Sequence, residues 1–176
     1  MKLVSGPDNL REERIARLIE QYGKVLLRIC CVYLKDAALA EDALQETFLK
    51  AYRNLDGYKG LSSERTWLTS IAINVCRDMR RRAWFRYMDR TVDLDRLTLN
   101  AQDGGQEAVE LMMDVMNLPK RYMEVILLHY YADLTQTEIA RMIGVTPATV
   151  SKRLKAAQNM LRHVLEGGNA DDDAAR

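Results

Sequence analysis

Apolar residues recur at spacings of three and four along most of the chain, and breaks in that rhythm mark the ends of helices. Ile15, Leu18, Ile19, Tyr22, Val25, Leu26, Ile29, Cys30 and Tyr33 form the first stripe, which predicts a helix from about Asn9 to Tyr33. Lys35 and Asp36 interrupt it, and Asp36 is placed to cap a second helix from Ala37 to about Leu55 by accepting a first-turn amide. Ala40, Leu44, Thr47, Phe48, Ala51 and Leu55 form its inward stripe, whereas Glu41, Asp42, Gln45, Glu46 and Leu49 lie off it. The glycines and serines of 56–63 predict a loop. A third helix starts near Ser63, carries Trp67, Leu68, Ile71, Val75 and Met79 inward, and runs out into the arginines at 80–82.

From Tyr87 to about Gln106 the stripe gives way to Asp, Asn and Gly, which predicts a flexible linker at a domain boundary. Val109, Leu111, Met112, Val115 and Met116 then predict a short helix ending before Leu118-Pro119, and Pro119 suits the first turn of the next, Lys120 to Tyr131. Thr135 and Glu138 have the spacing of a capping box, in which each side chain satisfies the other's backbone amide. Gly144 is placed to end that helix. Thr146-Pro147 opens the last one, expected to reach about Leu165 before a frayed acidic tail at 167–176.

Composition agrees with helices throughout. The 176 residues include only three prolines and nine glycines, and no stretch alternates apolar and polar positions as a strand would. The expected fold is all-α: two small domains, 9–86 and 107–166, joined by the linker 87–106. The net charge of +1 by itself argues against a nucleic-acid binder, but the charges are segregated. Glu41, Asp42, Gln45 and Glu46 make an acidic and amide face. Arg77, Arg80, Arg81, Arg82 and Arg86 form one basic cluster, and Lys152, Arg153 and Lys155 another, so different surfaces should meet different partners. The charged N-terminus has no signal-peptide core, and no apolar run reaches the roughly 18 residues that span a bilayer. Cys30, Cys31 and Cys76 match no metal or redox spacing and read as buried thiols.

Ile139, Ala140 and Ile143 facing Val150 and Leu154 across the Gly144-Val145 turn make a helix-turn-helix, whose second helix fits a major groove about 12 Å wide. Its outward residues are Ala148, Thr149, Ser151, Lys152 and Lys155, with Arg153 and Arg162 placed for phosphates. A structural hairpin with a solvated basic face is the plainer alternative. In the first domain, Tyr58, Trp67, Asn74 and the arginines suit a single strand, since aromatics stack unpaired bases, amides bond their edges and arginines follow the backbone. The plainer expectation there puts Trp67 in the core and leaves Arg80 to Arg82 as a solvated helix end that complements the helix dipole. His129 and His163 suggest no common site. Glu41, Asp42 and Glu46 have no histidine beside them, and no phosphate-binding glycine loop is present, so no enzyme is expected and no cofactor.

Two stretches carry a family resemblance. Ala40 to Tyr52 (AEDALQETFLKAY), Arg65 to Asn74 (RTWLTSIAIN) and the arginines after Asp78 resemble region 2 of the extracytoplasmic-function sigma factors. Leu118 to Tyr122 (LPKRY) and Leu134 to Leu154 resemble their region 4, in the right order and spacing. The resemblance implies a specificity subunit that directs core RNA polymerase to promoter DNA. It implies that Asp42, Gln45 and Glu46 dock on the β′ clamp helices, and that region 4 meets the β flap. Tyr58, Ile71 and Asn74 would pocket a base flipped from the −10 non-template strand, flanked by Arg77, Arg80 and Arg81. Ala148, Thr149, Ser151, Lys152 and Lys155 would read the −35 element, with Arg153 on the backbone.

Ser151 and Ala156 stand where such proteins often carry Arg or Lys, which shifts −35 readout toward Lys152 and Lys155. Val75 stands where a polar residue often lines the base pocket. The extra domains of housekeeping sigma factors are not expected. A cytoplasmic protein follows, with an anti-sigma factor as a further partner and a possible hold at the membrane. The alternative is a stand-alone two-domain helix-turn-helix regulator that needs no polymerase.

Overall fold

In the computed structural model the backbone is described for residues 7–84 and 105–172, and side chains for 9–81 and 110–166. The chain divides into two compact units, Met1–Leu97 and Thr98–Arg176. The linker expected at 87–106 lies almost wholly outside the described residues, as do Arg86 and the last four residues of the acidic tail.

The first unit is built on α1 (Pro7–Leu34), α2 (Ala37–Arg53) and α3 (Glu64–Trp84), each packed against the other two. Asp36 caps α2 as the sequence predicts, its carboxylate accepting the Leu39 amide at 3.0 Å. Helix α2 ends at Arg53 rather than Leu55. Leu55–Gly57 tightens into a 3₁₀ turn that keeps Leu55 buried. Ser63 caps α3, its hydroxyl accepting the Thr66 amide at 3.0 Å.

The core of this unit holds Leu18, Leu26, Ile29, Tyr33, Ala40, Ala51, Leu68, Ala72, Ile73 and Cys76, all essentially inaccessible. Several expected inward positions differ. Ile19 is 46% exposed, and Ile15, Tyr22, Val25, Trp67, Ile71 and Met79 are only half-buried. The reason is that α3 is covered by α1 and α2 together, so its buried arc runs through Leu68, Ala72, Val75 and Cys76, and Trp67 and Ile71 fall on its rim. Small Ala37, Ala40 and Ala43 line the buried side of α2, where Leu44 stays half-buried.

The second unit begins with α4 (Gly105–Asn117) and α5 (Lys120–Ile126). The expected helix to Tyr131 widens at Leu127–Tyr131 into a π turn, in which the Ala132 amide reaches back to the Leu127 carbonyl at 3.0 Å. Then come α6 (Gln136–Ile143) and α7 (Pro147–Asp172). Helix α7 therefore continues through the stretch expected to fray after Leu165. Helices α4, α5 and α6 all pack on α7, and Val115, Met123, Leu127, Leu128, Ile139, Val150, Leu154 and Ala157 fill the centre. No helix among the described residues is long and apolar enough to cross a membrane.

Candidate nucleic-acid and protein interfaces

On α2, residues 42, 45, 46 and 49 share one face, since positions three and four apart are neighbours on a helix. Asp42 and Gln45 are exposed and Glu46 half-buried, with Lys50 Nζ 3.7 Å from its carboxylate. These residues form one wall of a groove of about 360 Å³, and Val75, Asp78 and Met79 of α3 form the other. Leu49, 51% exposed, adds an apolar patch to it. Val75 is thus buried beside the acidic face of α2.

On α3, Trp67, Ile71, Asn74, Arg77 and Arg81 follow one another at three- and four-residue steps and so share a stripe. Asn74 and Arg81 are exposed, and Ile71 and Arg77 are half-buried. The ring of Tyr58 stacks on Trp67 with centroids 4.7 Å apart and planes 28° from parallel, and its hydroxyl donates to the Ser62 carbonyl. The stack places the loop ring against the head of the stripe. Arg80 does not join it. It points toward α1, its guanidinium 5.7 Å from the Tyr33 ring. Arg81 is paired with Asp78 at 3.3 Å, and the Arg82 side chain is outside the described set.

A feature that periodicity did not single out is a row of arginines on α1. Arg11 reaches Asp56 at 3.4 Å and the Tyr52 carbonyl at 3.1 Å. Arg14 sits 3.3 Å from the Glu64 carboxylate and 5.6 Å from the centre of the Tyr58 ring. Arg17 donates to both Glu64 oxygens. The hydrogen bond and charge of Arg17, then those of Arg14, hold the Glu64 carboxyl below its ordinary value. Burial pushes the Tyr58 phenol above its own. The one signal in the sequence is the three-residue spacing of Arg11, Arg14 and Arg17; their acidic partners are more than forty positions away.

In the second unit both halves of the capping box form. Thr135 Oγ1 accepts the Glu138 amide at 3.3 Å, and Glu138 Oε2 accepts the Thr135 amide at 2.9 Å. Gly144 ends α6 at φ 71°, in the left-handed region where a Cβ is strained. Thr146 caps α7, accepting the Thr149 amide at 3.2 Å, and the two threonine hydroxyls are 2.9 Å apart. Ala148, Ser151, Lys152 and Lys155 share one outward face. Thr149 and Arg153 lie to its flanks, half-buried, with the Thr149 hydroxyl already engaged in the cap. Arg162 lines a separate apolar groove of about 500 Å³ together with Leu111, Ile126, Tyr130, Leu161 and Leu165.

Cys30, Cys31 and Cys76 are buried free thiols. Contact with Cys76 and burial push the Cys30 thiol far up, and burial pushes Cys31 up to about 11. Among the described residues no cluster of His, Cys, Asp and Glu could hold a metal ion.

Sequence comparison matches residues 18–86 to Sigma-70 region 2 and residues 109–158 to Sigma-70, region 4. The ECF RNA polymerase sigma factor SigW of Bacillus subtilis is 29% identical over 168 residues, covering 88% of this chain and 90% of SigW. SigL of Mycobacterium tuberculosis is 28% identical over 171 residues, covering 94% of this chain and 97% of SigL. Among solved structures, the sigma factor RpoE of Bartonella quintana, in complex with the anti-sigma factor NepR, superposes with a TM-score of 0.67 at 22% identity, covering 85% of this chain and 97% of that one. CnrH in complex with the cytosolic domain of CnrY gives a TM-score of 0.65 at 22% identity over 89% of this chain and 90% of that one. At that identity the likeness is one of fold.

Proposed function

The chain belongs to the extracytoplasmic-function group of the sigma-70 family, and we propose that it is an alternative sigma factor that binds core RNA polymerase and directs it to promoters through −10 and −35 elements. The observation that carries this reading is the presence of two differently built surfaces in one chain. One is an acidic groove on α2 and α3 beside an aromatic and amide stripe; the other is a doubly capped helix-turn-helix with a basic outward face.

Each surface has a role in this reading. Asp42, Gln45 and Glu46 meet the β′ clamp helices, with Leu49 giving the contact an apolar centre. Tyr58, Ile71 and Asn74 take up an unpaired base of the −10 non-template strand, and Arg77 and Arg81 follow its backbone. Stacking one base is worth about 1–3 kcal/mol, enough to favour a short melted segment that polymerase then extends. Ala148, Ser151, Lys152 and Lys155 read the −35 major groove. Arg153 and the capped N-terminus of α7 sit close to phosphates, where unpaired amides and the helix dipole attract an anion. The apolar groove beside Arg162 suits the β flap. The protein holds and positions nucleic acid and polymerase and performs no chemistry itself.

Its place of action is the cytoplasm, with polymerase. An anti-sigma factor is the regulator expected of it, and the similarly folded RpoE, captured with the anti-sigma factor NepR, supports that expectation. Any attachment to a membrane comes through that partner.

Transcription in vitro with core polymerase, with and without this protein, tests the reading. New start sites sharing an upstream −35 and −10 pair are the expected result. A stand-alone regulator would instead bind duplex DNA without core and yield no new start sites.

A further inference from the structure

The loop between α2 and α3 is held from outside by α1, and Arg14 is where its two restraints meet. One guanidinium is both 3.3 Å from Glu64, the first residue of α3, and 5.6 Å from the centre of the Tyr58 ring. That ring also stacks on Trp67, and its hydroxyl is bonded to Ser62. Arg17 fixes the Glu64 carboxylate in turn, so the acid is not free to follow Arg14 if the loop moves. The ring is therefore oriented by a cation and an indole, with a hydroxyl bond at its rim. A cation over an aromatic face contributes little when exposed and more as water is excluded. Here Glu64 is four-fifths covered and Arg14 about three-fifths, between those limits.

We propose that Arg14 is a positioning residue for −10 recognition: by bridging Glu64 and Tyr58 it sets the angle at which the tyrosine ring meets an unpaired base. This rests on the reading of Tyr58 as a base-contacting residue. Arg14 itself touches neither polymerase nor DNA. Restraining the ring before binding lowers the ordering cost of capture, so losing the restraint weakens binding with every contacting group still present.

Holoenzyme made from core polymerase and the full chain tests this by fluorescence anisotropy. The probe is a fluorescein-labelled non-template strand spanning the −10 element of the strongest promoter mapped in the transcription experiment. Arg14→Met, which keeps the length and removes the charge, is expected to weaken strand binding about tenfold, whereas Arg14→Lys recovers most of it. Affinity for core should stay within about twofold for both. The salt dependence separates positioning from contact: losing a direct phosphate contact lowers the slope of log affinity against log salt by about 0.7, and positioning leaves it unchanged. Native binding by Arg14→Met, a reduced slope, or an equal loss of core affinity each overturns the proposal. Tyr58→Ala is the companion arm. If it binds the strand as the native protein does, the base-contacting reading falls and the proposal with it; if it weakens binding while Arg14→Met does not, only the positioning role falls.

Discussion

Arg17 donates to both oxygens of the Glu64 carboxylate, Nη2 to Oε1 at 2.9 Å and Nη1 to Oε2 at 3.2 Å, across 47 positions of sequence. This two-pronged pair ties the middle of α1 to the first turn of α3, where a carboxylate also meets the positive end of the helix dipole. Because the folded carboxyl is held below its ordinary value, the stability it contributes is fully present above the unfolded value of about 4.3 and is lost as pH falls through the lower folded value. Thermal unfolding should be independent of pH near 7, where the contribution of this pair is fully present, and should show a decline below about pH 4 that Glu64→Gln flattens. An unchanged acid limb in that variant would show that the pair contributes nothing to acid stability.

Asn74 is exposed in mid-stripe between Ile71 and Arg77 and does not line the α2 groove. Asn74→Ala should slow open-complex formation, followed by permanganate reactivity of unpaired thymines, with core affinity unaltered. Equal losses in both assays would remove it from the base pocket.

Lys152 and Lys155 stand one turn apart on the outward face of α7. Alanine at either should weaken −35 recognition, by about 1–3 kcal/mol and with relaxed sequence preference if the lysine meets a base edge. A lysine on phosphate would instead lower affinity evenly across sequences and reduce the salt slope by about one. Footprints over the upstream element, measured at two or more salt concentrations, distinguish these outcomes; unchanged footprints would remove both lysines from the interface.

Gly144 has open space where a Cβ would go, so its substitution meets strain without collision. Gly144→Ala should destabilise the second unit by about 1–2 kcal/mol, and Gly144→Asn by less, because asparagine tolerates the left-handed region. Thr135→Ala removes one half of the capping box and should cost about 1 kcal/mol. Hydrogen exchange of the α6 and α7 amides reads both effects; Gly144→Ala exchanging like the native protein would contradict the first.

The three thiols should react slowly with iodoacetamide in the folded protein at pH 8 and readily in urea, since all three are buried away from the reagent. For Cys31 the sign is that of a neutral group kept neutral. Stability is unaffected below the unfolded thiol value of about 8.5 and falls as pH rises from there toward about 11. Rapid alkylation of the native protein would show the thiols to be accessible.

Much of the architecture can be read from the chain because its determinants are local. The Asp36 cap, the Thr135 and Glu138 box, the Gly144 turn and the Thr146 cap each depend on residues within a few positions of one another, and all four form. The outward face of α7 follows from helical spacing in the same way. What spacing could not supply was the width of each buried arc. Trp67 was expected in the core and is half-buried on the rim, because two helices cover α3 and leave that edge to the Tyr58 ring.

The sequence by itself determined the helices, their caps, the turn of the helix-turn-helix and the separation of acidic from basic faces, since backbone hydrogen bonding and charge placement are settled within a few residues. Tertiary structure alone decided that Arg80 turns to Tyr33 while Arg81 stays on the stripe, that Val75 lines the α2 groove, and that Arg11, Arg14 and Arg17 hold a loop more than forty positions away. Those outcomes depend on which helix faces meet, and a one-dimensional pattern carries no record of the distance between residues brought together by packing.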